Sequence, residues 1–312
     1  IGELQMKKYI ILVCILICIA FIMCGCQRKY YGKGRSFTMN TSALPGYQND
    51  NITAMSAENY DRFMHASYIM VTDKFGEVHK LKISANIKRH EWDFSNLQSN
   101  GIFKNYVMED GSAKKIGVDV SEHQGVINWE VAAKEVDFAI IRLGYRGYTS
   151  GNITTDVYYS ANMAGATAQG LPVGVYFYSQ AVTYEEGVEE ANFVLSQLGD
   201  YTLSYPIVLD REDSMAEDAR TNDMSAEQHT QAALGFLETI KAAGHSAMMY
   251  TNRMYYALYL DLETIYQYPV WFAQYADEPD WPYEFSIWQY TENGEVPGIS
   301  GPVDLNLEMI PP

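Results

Sequence analysis

The chain has 312 residues and a formal charge of −17 at pH 7. That length allows one barrel-sized domain with additions, and the 47% apolar content can fill a large core. The acidic balance excludes nucleic acid as a partner, which needs basic patches, and gives no attraction to an anionic surface.

The four cysteines, Cys14, Cys18, Cys24 and Cys26, all lie near the start, so the rest of the chain has no disulfide and no thiolate metal site. Met6 reads as the natural start. Lys7-Lys8 precede 19 uncharged residues, Tyr9 to Gln27. A charged stretch before an apolar run is the pattern of an export signal. A small residue before Cys26 resembles a lipobox, with Cys26 as the lipidated residue; a retained membrane helix and free secretion are the alternatives. All three readings put the remainder outside the cytoplasm, and the lipoprotein and retained helix put it at the extracytoplasmic face of a bacterial membrane, facing the cell wall.

Residues 28–115 are poorly patterned. Gly, Ser, Asn and Lys dominate Tyr31 to Asn51, as in a flexible tether. Two alternating runs, Tyr68 to Val71 and Val78 to Ile83, flank Asp73-Lys74-Phe75-Gly76 and predict a hairpin. A linker with a small β-rich spacer is expected here.

From Ile116 the rhythm becomes strand, loop, helix. Strands are predicted at 116–120, 138–143, 173–179, 205–210, 246–251, 270–275, 285–290 and 303–307. Helices are predicted at 156–169 behind Thr154-Thr155, at 183–198, and from a Ser225 capping box to Ala243, with Gly170 and Gly244 as stops. This alternation implies an α/β fold over 116–312. The expected form is an irregular, flattened (β/α) TIM-like barrel, preceded by the anchor (1–27) and the spacer (28–115).

Chemistry in such barrels sits at the C-terminal strand ends. Those ends deliver Asp119, then Tyr176 and Tyr178, then Asp210 and Glu212, then Tyr250 and Asn252. Trp271 with Gln274, Trp288 with Gln289, and Asp304 with Asn306 complete the set. Residues two apart on a strand share a face, so Asp210 and Glu212 emerge together, and two crowded carboxyls raise one pKa. Each residue alone has an ordinary explanation: a lone Asp caps a turn, and a lone Trp fills a core. Four acids at three strand ends with aromatics between them fit a saccharide cleft. Asp and Glu oxygens also suit Mg²⁺ or Ca²⁺, with His123 near Asp119, but no His pair or EF-hand spacing accompanies them. No metal or other cofactor is expected. Nucleophile-elbow and P-loop motifs are missing.

These segments together resemble the glycoside hydrolase family 25 lysozymes. The resemblance runs from Ile116 to Ile310. It includes Gly117-Val118-Asp119-Val120-Ser121, Gly174 to Ser179, Pro206 to Glu212, Val270 to Tyr275, Ile287 to Thr291 and Val303 to Asn306. It implies cleavage of the β-1,4 bond from N-acetylmuramic acid to N-acetylglucosamine in peptidoglycan. By position, Glu212 would be the general acid and Asp210 the helper of the substrate acetamido group, with Asp119 and Asp304 completing the acidic cluster. Tyr176, Tyr178, Trp271 and Trp288 would line sugar subsites, and Gln274, Gln289, Tyr250 and Asn306 are further substrate contacts. Arg211 departs from the usual apolar or aromatic residue; it should point away from the pair, though it could meet an acid. No wall-binding repeats are visible, and a membrane tether could replace them. The expected enzyme is a monomer whose partner is the glycan strand. A non-catalytic wall-binding lipoprotein, or a hydrolase of another N-acetylhexosamine polymer, is the alternative.

Overall fold

The apolar runs from Ile116 onward close into a barrel whose two faces are separated by the two-residue period of each strand. The computed structural model describes residues 67–101 and 103–310. All the described residues fall in one compact unit. Cys26 and the apolar run of residues 9–27 lie outside the described residues. Among the described residues no helix is long and apolar enough to cross a membrane.

Four strands come first: β1 (Tyr68–Thr72), β2 (Val78–Lys82), β3 (Leu97–Asn100) and β4 (Phe103–Tyr106). They form two separate antiparallel hairpins, β1–β2 and β3–β4. The barrel strands are β5 (Ile116–Val120), β6 (Phe138–Arg146), β8 (Val173–Tyr178), β9 (Ile207–Asp210), β10 (Ala247–Asn252), β11 (Val270–Ala273), β12 (Ile287–Gly294) and β13 (Val303–Glu308). The short β7 (Ile153–Thr155) pairs with the outer end of β6. Neighbours are parallel from β5 through β12. β13 returns antiparallel between β12 and β5 and closes the ring. All eight predicted strands are present. The irregularity comes from the reversed β13 and from register shifts in β6 and β12.

The helices are α1 (Trp129–Ala132), α2 (Tyr159–Ala168), α3 (Tyr184–Gln197), α4 (Ala226–Ala242), α5 (Arg253–Tyr259) and α6 (Leu262–Ile265). Thr183 caps α3 by accepting from the Glu186 amide. Ser225 and Gln228 form the predicted capping box of α4, and Gly170 and Gly244 stop their helices at positive φ. Thr154 and Thr155 do not cap α2. They belong to β7, and Asp156 accepts from the Tyr158 amide instead.

Alternate residues sort to two sides. Val118, Ala139, Ile141, Val175, Phe177, Leu209, Met249 and Phe272 face the helices. Phe138, Ile140, Val208, Met248, Tyr250, Trp271 and Ile287 form a second cluster inside the ring. At its base Phe138 stacks on Tyr205, with ring centroids 4.4 Å apart. A Cβ at Gly117 would lie 2.3 Å from the Phe138 ring, so only glycine admits this plug. The interior is thus filled by side chains from the bottom, and the polar residues of the same columns surface at the top.

Residues 67–115 are not a detached spacer. Trp92 packs on Phe285 (4.5 Å), the Ser84 amide donates to the Tyr283 hydroxyl (2.7 Å), and the Lys104 amide donates to the Tyr290 hydroxyl (3.2 Å). The described part of this segment belongs to the same compact unit as the barrel. A truncation at 116 would strip the cover from aromatic residues of the barrel wall.

Candidate active site

Each barrel column ends in a polar residue because the strand alternation carries the inward side past the apolar plug. Val208 is followed on that side by Asp210, Met248 by Tyr250, Ile287 by Gln289, and Gly117 by Asp119. Opposite them on β13 stands Asp304, directly across from Asp119. The result is an open cleft of ≈ 560 Å³ lined by Asp119, Asp210, Glu212, Asp304 and the aromatic residues between them.

Asp119 is the acceptor at the centre of a one-directional network. Asn306 Nδ2 and Gln289 Nε2 both donate to its Oδ2, at 2.8 and 2.9 Å. Tyr250 and Tyr275 donate their hydroxyls to Gln289 Oε1 at 2.9 and 3.0 Å, and Trp271 Nε1 donates to Asn306 Oδ1 at 2.8 Å. Every amide is thereby fixed in orientation. Burial pushes the Asp119 carboxyl up to about 6 against these donors. Asp304 is pushed to about 9 by burial and by the Asp119 charge beside it, so it stays protonated at neutral pH and shares a hydrogen bond with Asp119.

Asp210 ends β9, and Glu212 lies just beyond the strand. Burial raises both carboxyls. Asp210 is held well above the usual range, first by burial and then by the Glu212 and Asp119 charges; Glu212 is raised to about 7. Asn252 hydrogen-bonds Glu212; its Oδ1 accepts from the Tyr255 amide, which leaves its Nδ2 as the donor. Asp210 Oδ1 is buried and has no partner. An unpaired buried polar atom costs about 1–3 kcal/mol, so a group left this way at the wall of a cleft points to a ligand.

Arg211 points away from the pair. It is fully buried and donates to Ser179 Oγ and the Ala181 carbonyl, with His229 Nδ1 at 3.1 Å; no acid bonds it directly. His229 sits between Arg211 and the Tyr255 hydroxyl (2.8 Å), and burial holds its imidazole down at about 3. It is neutral throughout the working range.

Tyr176, Tyr250, Trp271, Gln274 and Gln289 line the cleft with the four acids. Tyr250 and Tyr176 meet the Trp271 ring edge-on, at 4.6 and 6.2 Å. Tyr178 is half-buried beside Asp210 and Glu212, whose charges push its hydroxyl up after burial does. Two residues fall elsewhere. Trp288 does not line a subsite. It neighbours Gln289 on β12 and so faces the other way, where it is fully buried against Tyr290 with Nε1 donating to the Gln274 carbonyl (2.8 Å). Asn306 is also fully buried, its amide spent on Asp119 and Trp271, so it supports the cleft from behind. His123 is exposed and takes no part.

The sequence reading missed Arg253, Tyr275 and Glu292, which line the same cleft. Arg253 follows the β10 strand end directly, so strand-end counting could have reached it. Tyr275 shares a side of the predicted strand 270–275 with Trp271, so the same alternation could have reached it; Glu292 lies in β12 beyond the predicted strand, past a register shift, and gave no signal. A protonated carboxyl beside a second carboxyl with a free oxygen can give a proton to a leaving oxygen and steady the positive charge or amide left behind.

The chain was compared with known proteins. It is 29% identical over 199 residues to the uncharacterized protein YegX of Escherichia coli (strain K12), covering 61% of this chain and 68% of that one. Its fold is similar to the modular autolysin LytC from Streptococcus pneumoniae, solved in complex with synthetic peptidoglycan ligand. That match has a TM-score of 0.57 at 24% identity, over 77% of this chain and 56% of that chain, so it spans little more than half of the autolysin. It is also similar to the bacterial lysozyme from Streptomyces coelicolor, with a TM-score of 0.53 at 26% identity, over 63% of this chain and 92% of that one. The family model described as glycosyl hydrolases family 25 matches residues 118–299, which include every cleft acid except Asp304. On that match, across more than half its length and over the barrel that carries the cleft, the chain belongs to glycosyl hydrolases family 25.

Proposed function

We propose that the chain is a lysozyme: an N-acetylmuramidase that cleaves the β-1,4 bond between N-acetylmuramic acid and N-acetylglucosamine of peptidoglycan. The observation that carries this reading is the Asp210–Glu212 pair, in which Glu212 is raised to about 7 and Asp210 Oδ1 is unpartnered at the cleft wall. Such a pair retains a proton at neutral pH because both carboxyls cannot ionise together in one buried site, and an acetamido N–H donated to Asp210 favours the ionised form there and leaves the proton on Glu212. Glu212 gives its proton to the glycosidic oxygen as the C1–O bond breaks. The substrate's own acetamido oxygen closes on C1, while Asp210 accepts the acetamido N–H and offsets the developing charge. Water then opens this ring intermediate and returns a proton to Glu212. A sugar can lie against Tyr176 and Tyr275, the less buried aromatic residues of the cleft.

The experiment is digestion of purified peptidoglycan by the chain and by Glu212→Gln, with mass spectrometry of the new reducing ends and assignment of the first anomer. Reducing-end N-acetylmuramic acid of retained configuration, from the wild type alone, is expected. An inverted first product rules out the acetamido route, and equal release by Glu212→Gln rules out the assigned acid. The Lys7-Lys8 and Tyr9–Gln27 pattern supports placing this activity outside the cytoplasmic membrane, tethered through residues 1–27 with Cys26 as the lipid site. Labelling with a fatty-acid analogue, lost in Cys26→Ala, tests the lipid site.

A further inference from the structure

We propose that the β1–β2 hairpin, which lies outside the segment matched to the family, is a positioning element for the proton donor: Lys74 at its turn holds the Glu212 loop through Asp213. The proposal rests on the reading of Glu212 as the acid. Lys74 Nζ lies 2.9 Å from Asp213 Oδ2 and donates to Asn222 Oδ1 at 3.3 Å. Asp213 is the residue after Glu212, and Asn222 closes the same loop before α4. The ion pair is largely shielded, with the two side chains 21% and 9% exposed, so it is screened less than a surface pair.

The hairpin also grips the start of α5, directly after β10. Arg253 Nη2 donates to the Met70 carbonyl on β1 at 2.8 Å, while Nη1 bonds Asp280. Arg253 follows Asn252, the hydrogen-bond donor to Glu212. One hairpin therefore ties down both the loop that carries the acid and the strand end that carries its partner. The turn itself is stiff: Asp73 Oδ1 accepts from the Phe75 and Glu77 amides, each at 2.9 Å, and Oδ2 pairs with His79 Nε2 at 2.8 Å. A loop clamped to a rigid turn holds a proton donor better than a free one.

The clamp has an electrostatic consequence. Glu212 faces Asn252 and feels the Asp119 and Asp213 charges; Asp210 and Asp304 are the other acids, and both feel its charge. The Tyr178, Tyr250 and Tyr275 hydroxyls face it, and Arg253 lines the same cleft. Of these, Asp213 is the one whose charge Lys74 offsets. Removing Lys74 leaves that negative field unopposed and favours the protonated carboxyl.

The test uses the full chain with Lys74→Met, Lys74→Arg and Asp213→Asn, and Val78→Ala as the control at an exposed position of the same hairpin. Two quantities are read: kcat and KM on peptidoglycan against pH, and the pH midpoint of the melting-temperature difference between each protein and its Glu212→Gln partner. The second reports the Glu212 carboxyl without any turnover. Lys74→Met is expected to lower kcat several-fold with KM unchanged and to move both midpoints upward by a few tenths of a pH unit. Asp213→Asn is expected to move them downward, Lys74→Arg to restore them, and Val78→Ala to leave them in place. Unmoved midpoints and kcat in Lys74→Met overturn the clamp. Independent, additive shifts for Lys74→Met and Asp213→Asn overturn it too. A wild type without turnover, but with the melting midpoint displaced in Lys74→Met, refutes the muramidase reading and leaves the clamp standing.

Discussion

Glu212→Gln should stabilise the fold at alkaline pH while abolishing catalysis. Glutamine keeps the volume of the side chain, and its Oε1 can still accept from Asn252. What it removes is the need to ionise in a buried site. In the folded protein the Glu212 carboxyl is raised from 4.5 to about 7. The sign follows directly: below pH 4.5 the group is protonated whether folded or unfolded, so wild type and variant differ little. Between 4.5 and 7 the unfolded chain releases the proton first, and wild-type stability declines as pH rises. Above 7 the full difference is reached, about 3 kcal/mol at about 1.4 kcal/mol per pH unit. Glu212 retains contact with cleft water, which makes this a ceiling. For a unit of this size it corresponds to a melting-temperature gain of roughly 5–10 °C at pH 8, fading to none near pH 4.5. The assay is thermal unfolding of both proteins from pH 4 to 9. A gain that does not vary with pH, or a variant less stable at pH 8, refutes the argument that burial raises this carboxyl.

Asp119→Asn sets an amide against the Asn306 and Gln289 donors; kcat on peptidoglycan should fall about 100-fold or more, the range for loss of a positioned group at a reacting centre, with circular dichroism unchanged. Gly187 on α3 packs so closely on α4 that a Cβ would lie 2.1 Å from the Ala232 carbonyl; Gly187→Ala should cost about 1–3 kcal/mol or more in urea unfolding. His229 is held neutral at about 3, so its unfolded form gains a proton first as pH drops below 6.5. Stability conferred by the neutral ring is lost from there toward 3, and His229→Gln should flatten that acid limb of the melting curve.

Much of this was legible because barrel strands advertise themselves. Val208 and Asp210 share one face of β9 and Leu209 the other, so the apolar run and the acid that ends it can be read together. The same alternation explains Arg211: lying between two cleft residues, it had to point into the layer between strand and helix, where it found Ser179, Ala181 and His229. Applied strictly, that rule would also have removed Trp288 from the cleft, since Gln289 beside it points inward. Three-residue β7 was too short to show a period. The segment 67–115 looked unpatterned because its hairpins are only two strands wide and borrow apolar partners, Tyr283, Phe285 and Tyr290, from the barrel. Lys74 reaches Asp213 across 139 positions of sequence, a pairing that no local pattern encodes.

The account turns on Glu212 as a proton donor to a muramic acid glycoside. The most direct measurement is mass spectrometry of the reducing ends released from peptidoglycan at pH 6 by the wild type and by Glu212→Gln that has been shown to be folded. New N-acetylmuramic acid ends from the wild type, and none from the variant, are predicted. Release of N-acetylglucosamine ends, no release at all, or equal release by the two proteins would contradict it.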